Sequence, residues 1–396
     1  MGDMKILLAT DTYFPHVNGT AIFIHRLART LAGRKHQVYV IAPSQTLGNT
    51  VTVDDAGVTV YGLHSMPIPN YPKFRLSLPL FSKKTVRKIL TEINPDIVHL
   101  QQHFIIGKAV FNVARELNIP IIGTNHFLPD NLTPFAHLPK PIEEKIAKYG
   151  WGQFVKIFNE IEIITTPTAS AAKIIKNVGL NKNVIPVSNG IDLKTFKPRN
   201  NKGFLKKTFR VPNRKILLAV GRLDKEKQLD LVLGAMPQVL EKCDIQLIIT
   251  GVGSLGNKLK ALAQDLKITD HVTFTGFVND EDLPFVYNCA DVFVIAGLAE
   301  LQSLATMEAM ASGLPVIAAD ARALPELVHN GKNGYLFKSD DKNMLAKHII
   351  KLMQDDKLRK KMGQASLEMI KQHDQDKTIE KYETLYHRLL SAHPTS

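Results

Sequence analysis

Lys215-Ile-Leu-Leu-Ala-Val220 runs directly into Gly221-Arg222-Leu-Asp-Lys-Glu-Lys227. A short apolar run of this kind, closed by a glycine and a charged loop, reads as a strand buried on both faces with a ligand-facing loop at its carboxyl end. Lys5-Ile-Leu-Leu-Ala9 repeats the first five residues about one domain length earlier and also opens a strand, loop and helix unit. Outward from these two runs, β-branched stretches alternate with longer amphipathic ones. Strands are expected at 37–41, 58–61, 96–99, 119–123 and 162–165 in the first half, and at 246–250, 272–275, 291–295 and 315–318 in the second. This is the pattern of α/β units on parallel sheets, in two similar halves.

The chain has 396 residues, which favours about two domains over a single core. Hydrophobic residues make up 44% and charged residues 22%, a globular balance that argues against wholesale disorder. Lys194 to Arg214 is basic, holds Pro198 and Pro212 and shows no clean period, so a linker is expected there. The expected domains are 1–198 and 199–375, with 376–396 as a final helix able to return to the first. Amphipathic helices are expected at 341–354, 357–372 and 376–390.

No apolar run approaches the roughly 18 residues of a membrane span, and the first ten residues lack the apolar core of a secretory signal. A cytoplasmic protein is the expectation. Two cysteines, Cys243 and Cys289, build neither a disulfide framework nor a cysteine-rich metal site. The net charge is +13, and it is uneven: residues 1–200 hold 23 Lys and Arg against 13 Asp and Glu. Such an excess suits nucleic acid, anionic lipid or phosphorylated metabolites, and charge alone does not choose among them.

The loops that follow strands carry the chemistry. Asp11-Thr-Tyr-Phe-Pro-His-Val-Asn-Gly-Thr20 precedes a helix, and Gly19 allows backbone to approach an anion at the helix start. Arg222 and Lys227, five residues apart on one loop, can both reach a diphosphate, one as a fork and one as a point charge. Glu300-Leu-Gln-Ser-Leu-Ala-Thr-Met-Glu308 places one carboxylate in a loop and a second on the ensuing helix. The amides of Leu301, Gln302 and Ser303 are expected to form that helix's first turn, open to an anion or to sugar hydroxyls. His126 follows a first-half strand, in Thr124-Asn-His-Phe-Leu-Pro-Asp-Asn-Leu132. Gly251-Val-Gly-Ser-Leu-Gly256 matches a dinucleotide fingerprint, but the strand after it ends without the acidic residue that would grip a ribose, so a nicotinamide site is not expected.

Taken together, the Pro15 to Gly19 loop, His126, Ser188-Asn-Gly-Ile-Asp192 with Phe196 and Pro198, Arg222 with Lys227, and Glu300 with Glu308 resemble the retaining glycosyltransferases of family 4. The resemblance covers nearly the whole chain. It implies the GT-B fold, two Rossmann-like domains whose parallel sheets face each other across a cleft. It also implies a nucleotide diphosphate sugar as donor, with UDP or GDP as the nucleotide. By position, Arg222 and Lys227 would neutralise the diphosphate, Glu308 would hold the ribose and Gly19 would approach the phosphate. Glu300 and the amides after it would hold the sugar, and His126 would stand beside the anomeric centre. The family usually needs no metal, and no aspartate pair for a divalent ion is apparent. Two departures bear on the sugar's identity: Leu301-Gln-Ser303 replaces a Gly-Phe-Gly-like run, and Gln228 replaces a frequent glycine.

Glu300-Leu-Gln-Ser-Leu304 and the His126 segment look like the branch of glycolipid synthases, which implies a lipid acceptor such as diacylglycerol. In the stretch 71–88, Lys73, Arg75, Lys83, Lys84, Arg87 and Lys88 are interspersed with Phe74, Leu76 and Phe81, a composition able to lie on an anionic membrane. A solvated basic face explains the same residues. The alternatives are transfer to a soluble glycan or metabolite and, from another class, a non-catalytic sugar-nucleotide or nucleic-acid binder. No nucleic-acid module or stacking platform is visible, so nucleic acid is not an expected partner.

Overall fold

A computed structural model of the chain describes residues 3–15, 18–68, 71–77, 79–126, 140–200 and 203–393. Two compact units emerge: Met1–Ser188 together with Thr378–Ser396, and Asn189–Lys377.

The first unit holds β1 (Lys5–Ala9), β2 (Gln37–Pro43), β3 (Thr50–Val53), β4 (Thr59–Leu63), β5 (Ser65–Ile68), β6 (Tyr71–Ser77), β7 (Ile97–Leu100), β8 (Ile121–Thr124), β9 (Ile163–Thr166) and β10 (Val184–Pro186). Eight of them form one sheet in the order β10-β9-β8-β7-β1-β2-β4-β3, parallel except for the antiparallel edge strand β3. β5 and β6 form a separate antiparallel pair. Strand β1 shows why a continuous apolar run was needed: Ile6 and Leu8 enter one buried cluster, Leu7 and Ala9 the other. A strand with helices on both faces has no polar side to show water.

One of those faces is closed by the helix Gln375–Ala392, whose Ile379, Tyr382, Tyr386 and Leu389 pack with Ile6, Leu8 and Phe23. Glu383 pins it from the side, its two oxygens accepting from Arg34 Nη1 (2.9 Å) and His36 Nε2 (3.1 Å).

The second unit holds β11 (Lys215–Val220), β12 (Ile245–Thr250), β13 (Val272–Gly276), β14 (Val292–Ile295), β15 (Val316–Ala319) and β16 (Gly334–Phe337), in the order β13-β12-β11-β14-β15-β16. All its pairings are parallel. Both units are therefore α/β with parallel sheets.

The segment expected as a linker, 194–214, belongs to the second unit's packing. Phe196, Leu205 and Val211 are buried in its core, and Phe204–Phe209 is a short helix. The division falls instead at Ser188 and Asn189. Backbone explains the shift from Pro198: Ile191 N donates to His373 O (2.8 Å) and Gln375 N donates to Ile191 O (3.0 Å), tying 191 to the far end of the same unit.

Candidate active site

In the second sheet, β11 lies between β12 and β14, so the connections leaving β11 and β14 run in opposite directions and their carboxyl ends open a crevice. Arg222 and Lys227 follow β11; Glu300 follows β14. Lys227 Nζ donates to Glu300 Oε1 at 2.5 Å, with both side chains mostly withdrawn from solvent. Leu298 N donates to Glu226 O (3.0 Å), so backbone also joins the two loops. Gly297 leaves the room this requires, because a Cβ there would stand 3.0 Å from Glu300 Oε1.

Arg222 is held by its own loop. Nη1 donates to Asp224 Oδ2 (2.7 Å) and Nη2 to Glu226 Oε1 (2.6 Å), two of the five N–H donors a guanidinium carries. Asp224 is fixed in turn, its Oδ1 accepting from Ser254 N (2.9 Å) and Ser254 Oγ (2.8 Å). Two cations thus stand among three carboxylates, preorganised before any ligand arrives and with a formal excess of one negative charge.

Ser254 lies in the Gly251-Val-Gly-Ser-Leu-Gly256 stretch, and its glycines serve the arginine loop. A Cβ on Gly251 would stand 2.0 Å from Gly221 O, and one on Gly253 would meet Leu223 backbone at 2.5 Å. Leu223 N donates to Val252 O (3.1 Å) and Leu255 N to Leu223 O (2.8 Å). The fingerprint match comes from two loops lying backbone to backbone. Gly253→Ala is expected to lower stability by about 1–3 kcal/mol through overpacking; an unchanged melting temperature would contradict this account of the glycines.

The Glu300 to Glu308 stretch differs from expectation in one respect. The helix is Leu304–Ala311, with Ser303 as its N-cap, accepting through Oγ from Thr306 N (3.2 Å) and Thr306 Oγ1 (2.9 Å). Leu301 and Gln302 therefore precede the helix, and the expected first-turn amides of 301–303 are not its first turn. A serine one position before an apolar helix start is a strong cap, which moved the boundary. The buried Gln302 docks the Ser188 to Asp192 segment, its Oε1 accepting from Asn189 N (2.7 Å). Glu308 is buried on the helix and accepts from Tyr287 OH at 2.9 Å. Tyr287 was missed because a tyrosine on an amphipathic helix looks like core.

In the first unit, Gly19 is the first residue of the helix Gly19–Gly33, capped by Asn18, whose Oδ1 accepts from Ala21 N (2.8 Å). Asp11 caps a second helix, Ile105–Glu116, accepting from Ile106 N (2.7 Å) and Gly107 N (3.3 Å). Burial pushes the Asp11 carboxyl up to about 6 against the pull of those amides. His126 follows β8; its Nε2 is 3.0 Å from Gln101 Oε1, and its ring centroid is 5.0 Å from that of Phe23. Burial lowers the imidazole to about 3, so the ring is neutral at physiological pH. Residues 127–132 of its motif lie outside the described residues.

The basic stretch divides by role. Arg75 is a staple: Nε donates to Ser65 Oγ (2.9 Å), and Nη2 donates to Ser65 O (2.9 Å) and Thr46 O (3.0 Å). Arg75 remains partly exposed while making these three bonds. On the helix Pro79–Ile93, Lys83 and Arg87 pair with Glu116, and Lys88 pairs with Glu92 at 3.7 Å. Lys84 is exposed. The side chains of Lys73 and Phe74 lie outside the described ones, although their backbone belongs to β6. Among the described residues, no helix is long and apolar enough to cross a membrane.

Each of the two parallel-sheet units gathers charged or polar groups on loops that follow its strands. Residues 17–195 match the profile of Glycosyltransferase Family 4, and residues 201–369 match that of Glycosyl transferases group 1. The chain is 31% identical over 346 residues to the alpha-monoglucosyldiacylglycerol synthase of Streptococcus pneumoniae, covering 84% of this chain and 75% of that protein. It is 28% identical over 378 residues to a GDP-mannose-dependent alpha-mannosyltransferase of Corynebacterium glutamicum, covering 95% and 86%. Among solved structures, sucrose-phosphate synthase from Thermosynechococcus elongatus superposes with a TM-score of 0.81 at 20% identity, over 98% of this chain and 99% of that one. The chain belongs to the family 4 glycosyltransferases and has their GT-B fold; it is an enzyme that transfers a sugar from a nucleotide sugar.

Proposed function

We propose that the chain is a retaining hexosyltransferase that moves the sugar of a UDP- or GDP-linked donor to a lipid acceptor such as diacylglycerol, at the surface of an anionic membrane. The observation that carries the donor half is the Lys227–Glu300 pair at the switch point of the second sheet. An incoming diphosphate competes with Glu300 for Lys227. When Lys227 turns to the phosphate, Glu300 is released to accept from sugar hydroxyls, so one exchange prepares both groups. Arg222, oriented by Asp224 and Glu226, has N–H donors left to offer the leaving phosphate where charge develops. Glu308, oriented by Tyr287, takes the ribose hydroxyls. Gly19 lets backbone approach the phosphate, and His126 meets the anomeric centre and the reacting hydroxyl as a neutral ring.

The lipid half is supported by the similarity to a monoglucosyldiacylglycerol synthase and by the first unit's surface. Met66 and Leu76 are directly opposed across β5 and β6, and both are about half exposed. Exposed Lys84 and Lys88 lie on the helix that follows. Apolar side chains beside lysines suit an anionic interface. The similarity to a GDP-mannose enzyme keeps both nucleotides in the test.

The test offers UDP- and GDP-hexoses with diacylglycerol in vesicles containing anionic lipid, alongside soluble acceptors. An α-linked glycolipid product is expected, together with co-sedimentation that is lost at high salt. Transfer to soluble acceptors alone, with no vesicle binding at low salt, would overturn the lipid assignment and leave the donor half standing. Lys84→Glu with Lys88→Glu is expected to weaken vesicle binding, each exposed lysine contributing about 1 kcal/mol.

A further inference from the structure

Two side-chain contacts cross from the β7 end to the β8 end. His99 Nε2 lies 2.6 Å from Thr124 Oγ1, and His126 Nε2 lies 3.0 Å from Gln101 Oε1. Residues 99 and 101 are one strand repeat apart, as are 124 and 126, so the contacts stand one above the other on the same face. Backbone pairing extends far enough to hold this geometry, since Gln101 N donates to Ala9 O and Asn125 N to Thr165 O, each at 2.9 Å. The lower contact is locked from behind. Tyr386 OH is 2.8 Å from His99 Nδ1, and Thr165 Oγ1 is 2.6 Å from Thr124 Oγ1. The upper contact is fenced by Phe23.

Gln101 is 1% exposed, so its amide oxygen is withdrawn from water and faces the imidazole. An amide oxygen only accepts. In this orientation of the amide, which leaves Gln101 Nε2 buried without a hydrogen-bond partner among the described residues, the ring nitrogen opposite the oxygen carries the proton, and in a neutral imidazole the other nitrogen is then bare.

We infer that Gln101 is a positioning residue that holds His126 as the Nε2-protonated neutral ring and so presents Nδ1 as an acceptor toward the reacting hydroxyl. The inference rests on the reading of His126 given above. It assigns to an uncharged side chain the choice between two rings of identical charge and opposite hydrogen-bonding sense. Burial, which keeps His126 neutral, leaves that choice open; the facing oxygen makes it.

The experiment is long-range 1H–15N correlation on protein labelled at histidine, with the His126 signals assigned by their loss in His126→Ala. The wild-type ring is expected to show a protonated Nε2 and a bare Nδ1. Gln101→Leu is expected to shift it toward the Nδ1-protonated form and to lower kcat about 10- to 100-fold, as when the partner orienting a histidine is removed. A wild-type spectrum with the proton on Nδ1, or a Gln101→Leu spectrum unchanged from wild type, overturns the inference. The wild-type spectrum needs no variant, so poor folding of Gln101→Leu cannot shield the claim. Full transfer by His126→Ala would instead remove the catalytic role of His126, and the spectrum would still decide what Gln101 does.

Discussion

Lys227→Met is expected to cut transfer about 100- to 1,000-fold, the usual cost of removing one preorganised group aimed at charge that appears in the transition state. The same change leaves Glu300, whose side chain is 11% exposed, without the cation it meets in the free protein. A loss of stability is therefore expected alongside the loss of rate, because a largely buried carboxylate has been orphaned. The double variant Lys227→Met with Glu300→Gln separates the two effects. It removes the orphaned charge, so stability should return toward that of the wild type, while transfer stays low. Recovery of transfer together with stability would mean that the pair is only a clasp between two loops. Glu300→Gln alone should likewise lose transfer with the fold intact, since an amide oxygen accepts sugar hydroxyls less strongly than a carboxylate.

Acid should unfold the first unit steeply. Burial lowers His99 and His126 to about 3 and His103 to about 4, while a histidine in the unfolded chain titrates near 6.5. These three therefore take up protons on unfolding between roughly pH 4 and 6, and their stability contribution is present above 6.5 and lost as pH falls. Asp11 works in the opposite sense. Its carboxyl, raised to about 6, holds a proton in the folded state that the unfolded chain releases, so its contribution favours the fold at the acid end. Three protons gained against one released leave two, a slope of roughly 3 kcal/mol per pH unit across that window. Denaturant melts at pH 4, 5 and 6 measure it directly. A flat profile would contradict the buried neutral state of these rings, and His99→Phe should reduce the slope by about one proton if the ring is accommodated.

The strands that were legible in the sequence are those buried on both faces, where a run such as Ile6-Leu-Leu-Ala9 or Val292-Phe-Val-Ile295 admits few other readings. Those that were not have less to announce them. β10 is three residues ending in a proline, β16 is the four-residue Gly334–Phe337, and β3 lies at a sheet edge with Val51 and Val53 exposed. The 194–214 segment looked like a linker because charge and proline outnumber its anchors. Phe196, Leu205 and Val211 are spaced too irregularly to form a period, yet each one is buried. In the candidate site, Arg222, Lys227, Glu300, His126 and Glu308 could be singled out because ionisable side chains after a strand are chemically conspicuous. Gln101, Asp224, Glu226 and Tyr287 acquire meaning only from what stands opposite them. A linear reading does not supply those neighbours.

The helix Gln375–Ala392 bears on how the polypeptide matures on the ribosome. Residues 189–377 form an uninterrupted stretch and can close around their own core as soon as they emerge, whereas the unit begun by β1 stays open along one flank until Tyr382, Tyr386 and Leu389 are synthesised. The half that starts first is thus completed last. In the interval Ile6, Leu8 and Phe23 lack their cover, and nascent chains stalled before residue 378 are the ones most exposed to chaperone capture and proteolysis.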